Sequence, residues 1–255
     1  MAVPTELISA AIGAVSGAGV SVWTYRRSLS QQRNREVREQ LLQIVDLRLR
    51  QSELNHTKPA NFLEASGLLN SKRTVYLAIA NELAEKTHRS LTPNDCIQLG
   101  FETYTDGDTE TARRHFERAV RKSQEKQVTV VTRVAALRYL GAYFLGSGPD
   151  HDPAQGSNCF REAVQLTEGD PNPYFLYTTA MSYEQWGRAL GGAGDEGWRA
   201  LVEQARRSYE QLPLQYEYRA PCLRAVDALL GQTTDAVTAS PLSGAVGEPP
   251  GPRVA

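Results

Sequence analysis

The stretch DCIQLGFETYTDGDTETARRHFERAV, residues 95–120, decides the fold class. Leu99-Gly100 is followed by a Gly107-Asp108 turn, then by Ala112, Phe116 and Ala119. Gly100 and Ala112 carry almost no side chain, so the two helices of one hairpin approach closely there. Phe116 and Ala119 fill the contact with the hairpin that follows.

Working outward, the same arrangement recurs. Leu137, Leu140-Gly141 and Phe144 precede a turn, GSGPDHDPAQ (146–155), and then Phe160 and Ala163. Gly156 stands where the first copy has Ala112, and the turn is about three residues longer. A third copy places Leu176, Ala180 and Tyr183 on its first helix. Ala205 and Tyr209 lie on its second, across the Gly-rich stretch Gly191–Gly197. Gln215–Leu230 reads as a terminal helix covering the last hairpin. The segment QVTVVTRV (127–134) has strand-like composition, but the pattern beyond it is helical, so it reads as a helix start. The expected fold is all-α.

The spacing of Leu99, Gly100, Ala112, Phe116 and Ala119 resembles that of the tetratricopeptide repeat family. The likeness covers residues 93–212, with the strongest copies at 93–126 and 134–168 and a third at 173–212. Cys96 departs from the usual Trp, and the closing Pro after the second helix is missing. The resemblance implies an α-solenoid whose first helices line a concave surface. Carried over by position, that groove consists of Asn94, Ile97, Phe101 and Tyr104, then Ala135, Arg138, Ala142 and Leu145, then Tyr174, Tyr177, Met181 and Glu184. Such a surface is aromatic and apolar, suited to an extended peptide or a helix with hydrophobic anchors. It is not a Lys/Arg-dense clamp for a carboxylate terminus.

Ahead of the array, a short lead (1–6) precedes LISAAIGAVSGAGVSVWTY (7–25), nineteen residues without an ionisable group at neutral pH. As a helix it would span about 28 Å, near the thickness of a bilayer's hydrocarbon core. Trp23 and Tyr25 close it, and Arg26, Arg27, Arg33, Arg35 and Arg38 follow. The positive charge lies wholly after the segment, which excludes a cleaved secretory signal and predicts a single span with the C-terminal domain in the cytoplasm. Ser9, Gly13, Gly17 and Ser21 fall at four-residue steps, a smooth face through which spanning helices associate into homo-oligomers. A basic stalk helix (26–58) then carries Val37, Leu41, Ile44, Val45, Leu47 and Leu49 at helical intervals, and Val75–Leu83 marks another helix within the helical domain (59–230). Residues 231–255 are poor in large apolar side chains and rich in Pro, Gly, Ser and Thr, a composition expected to be disordered.

Charge narrows the function. Lys and Arg number 28 against 29 Asp and Glu, a net charge of −1, so no global field attracts nucleic acid. Three cysteines without paired spacing exclude a disulfide scaffold and a C-x-x-C site. The four histidines share no metal-ligand spacing. Asp150-His151-Asp152 sits in a turn where such residues are ordinarily solvated. No phosphate loop, nucleophile elbow or dinucleotide fingerprint occurs. The expectation is therefore a non-enzymatic, cofactor-free adaptor, anchored in a cell membrane, whose array recruits a partner polypeptide to the inner face. The Arg-heavy basic set (23 Arg, 5 Lys) hints at a bacterial source. The alternative is a membrane-active effector, in which the small-residue helix oligomerises into a pore under control of the helical domain.

Overall fold

The computed structural model describes residues 5–59, 61–87 and 90–231, with side chains from residue 28 onward apart from that of Ser30. Among the described residues every regular element is a helix. Two compact units divide the chain, residues 1–91 and 92–255.

The N-terminal unit is a long antiparallel pair, α1 (Thr5–Thr57) and α2 (Phe62–Thr87). Val37, Leu41, Ile44 and Leu47 recur at three- and four-residue steps, so they share one face of α1 and are buried with Leu77, Ala80 and Ala84 of α2. Polar bonds pin both ends of the pair. Gln51 Nε2 donates to Ser66 Oγ (2.9 Å) near the turn, and Asn34 Nδ2 donates to the Ser90 carbonyl (3.0 Å) at the far end. The turn itself is made by Lys58, which adopts a left-handed conformation (φ 42°) and donates its amide to Leu54 O, while Pro59 prevents the helix from resuming. Val45 and Leu49, read as part of the stalk pattern, are exposed together with Leu42.

The predicted span 7–25 and its stripe Ser9, Gly13, Gly17 and Ser21 lie outside the residues whose side chains are described. Likewise the lead 1–4 and the tail 232–255 lie outside the described residues. Among the described residues no helix is long and apolar enough to cross a membrane.

The C-terminal unit contains α3 (Pro93–Thr105), α4 (Thr109–Ser123), α5 (Val130–Leu145), α6 (Pro153–Gln165), α7 (Pro173–Gly192), α8 (Trp198–Glu210) and α9 (Arg219–Leu230). Consecutive helices pack as hairpins, α3 with α4, α5 with α6 and α7 with α8, and α9 lies against α8. Starts are set by local chemistry. Thr92 and Asp95 form a reciprocal capping box on either side of Pro93, and Asp108, Thr129, Asp152 and Asn172 each accept a backbone N–H of the first turn. Gly107 ends the first hairpin's A helix at φ 94°, a value that favours glycine. The segment 127–134 does lead into a helix, with Thr129 as its cap. The terminal helix is shorter than its sequence suggests. Tyr216 donates its amide to Pro213 O (2.9 Å) and Arg219 to Tyr216 O (3.0 Å), so 213–218 form turns and α9 begins at Arg219.

Candidate functional site

Three glycines locate the tight crossings of the C-terminal unit. A Cβ at Gly100 would lie 2.6 Å from the Phe116 ring. One at Gly141 would lie 2.8 Å from the Phe160 ring and 3.0 Å from Gly156 O, and one at Gly187 would meet Val202 at 2.6 Å and Trp198 O at 3.0 Å. Ala112, Ala119 and Ala163 are fully buried beside these crossings, and Leu99 and Leu140 are buried with them. Each of the first two crossings also reaches the next hairpin. Phe116 stacks on Tyr139 of α5 (centroids 5.9 Å apart, planes 17°), and Phe160 stacks on Trp186 of α7 (6.0 Å, 4°). The third crossing differs from the sequence reading. It falls at Gly187, seven residues after Ala180, because α7 runs twenty residues, beyond Gly187 to Gly192.

Most of the twelve residues assigned to a groove are interior. Ile97, Phe101, Ala135, Arg138, Ala142, Leu145, Tyr177 and Met181 are buried, Tyr104, Tyr174 and Glu184 are half-buried, and Asn94 is exposed. The physical reason is that first helices of successive hairpins bond to one another through this face. Phe101 meets Tyr139 edge-on (6.4 Å), Tyr104 meets Tyr143 (5.9 Å), and Arg138 Nε donates to Gln185 Oε1 across 2.7 Å.

One cluster does gather several of the candidates. Tyr177 lies within 6.0 Å, ring centre to ring centre, of Tyr209, Tyr216 and Tyr218, and Tyr209 Oη donates to Glu184 Oε2 (2.8 Å). Arg188 Nη2 donates to the other carboxylate oxygen of Glu184 (2.8 Å). Burial raises the Tyr177 hydroxyl above the ordinary phenol range. It also raises Tyr209, where the Glu184 charge adds to it. Sequence position did not single out Tyr216 and Tyr218. The available signal was an aromatic pair spaced by one residue, shortly after Pro213 and Leu214 and ahead of a helix.

No family model, curated protein or solved structure matches this chain. Its chemistry has to be read from its own residues.

The tempting 150–152 cluster has structural partners. Asp150 accepts from Tyr143 Oη (2.6 Å) and pairs with Arg113 (3.1 Å), His151 Nδ1 donates to Gly146 O (2.9 Å), and Asp152 caps α6 through Gln155 N (2.9 Å). Among the described residues no group of His, Cys, Asp and Glu is arranged to hold a metal ion. The thiols are far from nucleophilic. Burial pushes Cys96 and Cys159 each up to about 11, and raises Cys222 as well.

Proposed function

We propose that the C-terminal unit is a tetratricopeptide-like array serving as a non-enzymatic adaptor for a partner polypeptide, and that the N-terminal segment 7–25 holds it at the inner face of a cell membrane. The observation that carries the array reading is the repeated crossing: a first-helix glycine under a second-helix ring, with that ring stacked on the next hairpin. A generic bundle has no reason to reproduce this geometry in register, whereas stacking repeats require it. The adaptor reading is supported by what remains accessible on the aromatic side. Tyr104, Tyr174, Tyr216 and Tyr218 are half-buried, and Leu214 is 84% exposed. Rigid aromatic side chains with one wet edge make effective anchors at low entropic cost. Tethering raises the local concentration of whatever the array holds, so modest affinity suffices.

The test is a crosslinking capture with the intact protein beside Tyr104→Ala/Tyr174→Ala. The captured set should change while the helical circular dichroism stays intact; an unchanged set would sink the groove. Membrane placement is tested separately, by fractionating cells with and without alkaline carbonate washing. Replacing 7–25 by polyleucine distinguishes the roles: an adaptor retains its activity after the swap, and an effector that assembles a pore loses it.

A further inference from the structure

The tyrosine cluster opens onto an apolar surface. Tyr216 and Tyr218 are held in the turns between α8 and α9, with ring centroids 6.0 Å apart, and both pack on the buried Tyr177. Burial raises the Tyr216 hydroxyl, Tyr174 at the start of α7 adds to the shift, and Leu214 of the same loop is almost wholly exposed. Glu217, between the two tyrosines, is exposed, and its carboxylate bonds the Tyr218 hydroxyl. The result is an edge-to-face pair of rings, their planes inclined at 62°, with one carboxylate at its rim. Inclined aromatic rings form a notch that suits proline, whose pre-set extended helix loses little entropy on docking.

The chain carries a segment of that composition. Residues 248–253 read EPPGPR, with Pro249 and Pro252 three residues apart and a cation directly after them. Three residues make one turn of the polyproline helix, so Pro249 and Pro252 share an edge. Reach also fits. The platform lies at the N-terminal end of α9 and the tail leaves at its C-terminal end, a separation of about 18 Å for twelve residues at 1.5 Å each. A sixteen-residue connection, the length of 232–247, would have a root-mean-square span of about 20–24 Å if it were unstructured, which matches that distance. Effective concentration is greatest at such a match, about the millimolar range.

We infer that the segment 248–253 of this chain occupies the Tyr174–Tyr216–Tyr218 platform, with Arg253 facing Glu217, so that the tail covers the aromatic surface in cis. The inference goes beyond the adaptor reading and does not depend on it; a tail bound in this way would also compete with any partner that uses these rings.

The test uses a fluorescent synthetic peptide of residues 244–255 and two full-length proteins: the wild type and a tail variant, Pro249→Ala/Pro250→Ala/Pro252→Ala. Anisotropy should show the peptide binding the tail variant at least tenfold more tightly than the wild type, whose own tail competes. Tyr216→Ala/Tyr218→Ala in the tail-variant background should weaken binding at least tenfold. Because that pair also packs on Tyr177, a charge swap at an exposed position provides a second arm. Glu217→Lys should weaken the native peptide severalfold at low salt, and an Arg253→Glu peptide should recover the loss. Equal binding to wild type and tail variant, no binding to either, equal binding of a proline-free peptide, or indifference to the charge swap would each overturn the inference.

Discussion

The two units solve the packing of helices in opposite ways. In the N-terminal pair, one row of aliphatic side chains meets a row rich in alanine, and much of the remaining apolar surface stays open: Leu63 is 83% exposed and Leu42 67%. In the C-terminal unit, glycines admit whole rings into the hairpins, those rings stack on the following helix, and Val130 and Leu214 are the large apolar side chains left exposed among the described residues. Two helices have no third layer against which to bury their backs, whereas each hairpin of a series lends its neighbour a surface. Cohesion in the C-terminal unit is therefore concentrated in a few ring contacts, and in the N-terminal unit it is spread thinly along a seam.

The largest effect should come from removing a ring that serves two hairpins. Phe116 is fully buried, fills the space over Gly100 and stacks on Tyr139. Phe116→Ala should cost about 3–5 kcal/mol, read as a lowered urea midpoint for the C-terminal unit. If the loss were near that of an isolated exposed aromatic, the contrast between the units would fail. Next comes the complementary change. Gly141→Ala places a methyl 2.8 Å from the Phe160 ring and 3.0 Å from a backbone oxygen that cannot swing aside. Its expected cost is about 1–3 kcal/mol, despite alanine's better helix propensity.

These crossings also show how far the residues alone could be read. Gly100 and Gly141 were legible because a leucine precedes each and a phenylalanine follows at helical spacing. Gly187 was not, because it stands close to Gly191-Gly192 and merged with a turn; its marker was Trp186, the partner on which Phe160 stacks. The groove was legible as a face but not as a surface. Spacing places Phe101, Arg138 and Tyr177 on one side of their helices, yet says nothing of how closely successive first helices approach. That closeness buries all three, Arg138 down to 1% exposure with a neutral glutamine as its partner. The pairing of α2 with the stalk was also unreadable, because a seam of aliphatic and alanine residues carries no address.

A smaller effect separates the units by pH. Cys96 is fully buried, and its thiol is raised to about 11, burial being the main cause. Unfolding returns it to about 9, so between those values the unfolded chain releases a proton that the native chain retains. Stability from this group is complete below about pH 9 and falls by up to about 1.4 kcal/mol per pH unit as pH rises towards 11. Urea midpoints at pH 8 and 10 should drop for the wild type and drop less for Cys96→Ala. Equal slopes would mean that the thiol is more accessible to water than its burial indicates. The raised tyrosines of the same unit add to the alkaline loss in both proteins, so the difference between the two slopes isolates Cys96.

The smallest effect has the opposite sign and tests the N-terminal half of the comparison. Gly67 lies inside α2, where a Cβ would meet nothing within 4 Å. Here glycine packs against no ring; it loosens the helix and widens the unfolded ensemble. Gly67→Ala should therefore stabilise the pair by about 0.5–1 kcal/mol. The Ser71 hydroxyl bond to the residue-67 carbonyl is untouched by the change, since it uses the backbone. Amide exchange in the surrounding turns of α2 should slow by about two- to fivefold, the equivalent of that free energy. Exchange that quickens instead would place another surface against Gly67, and the N-terminal pair would then have, like the repeats, a neighbour that its glycine was selected to admit.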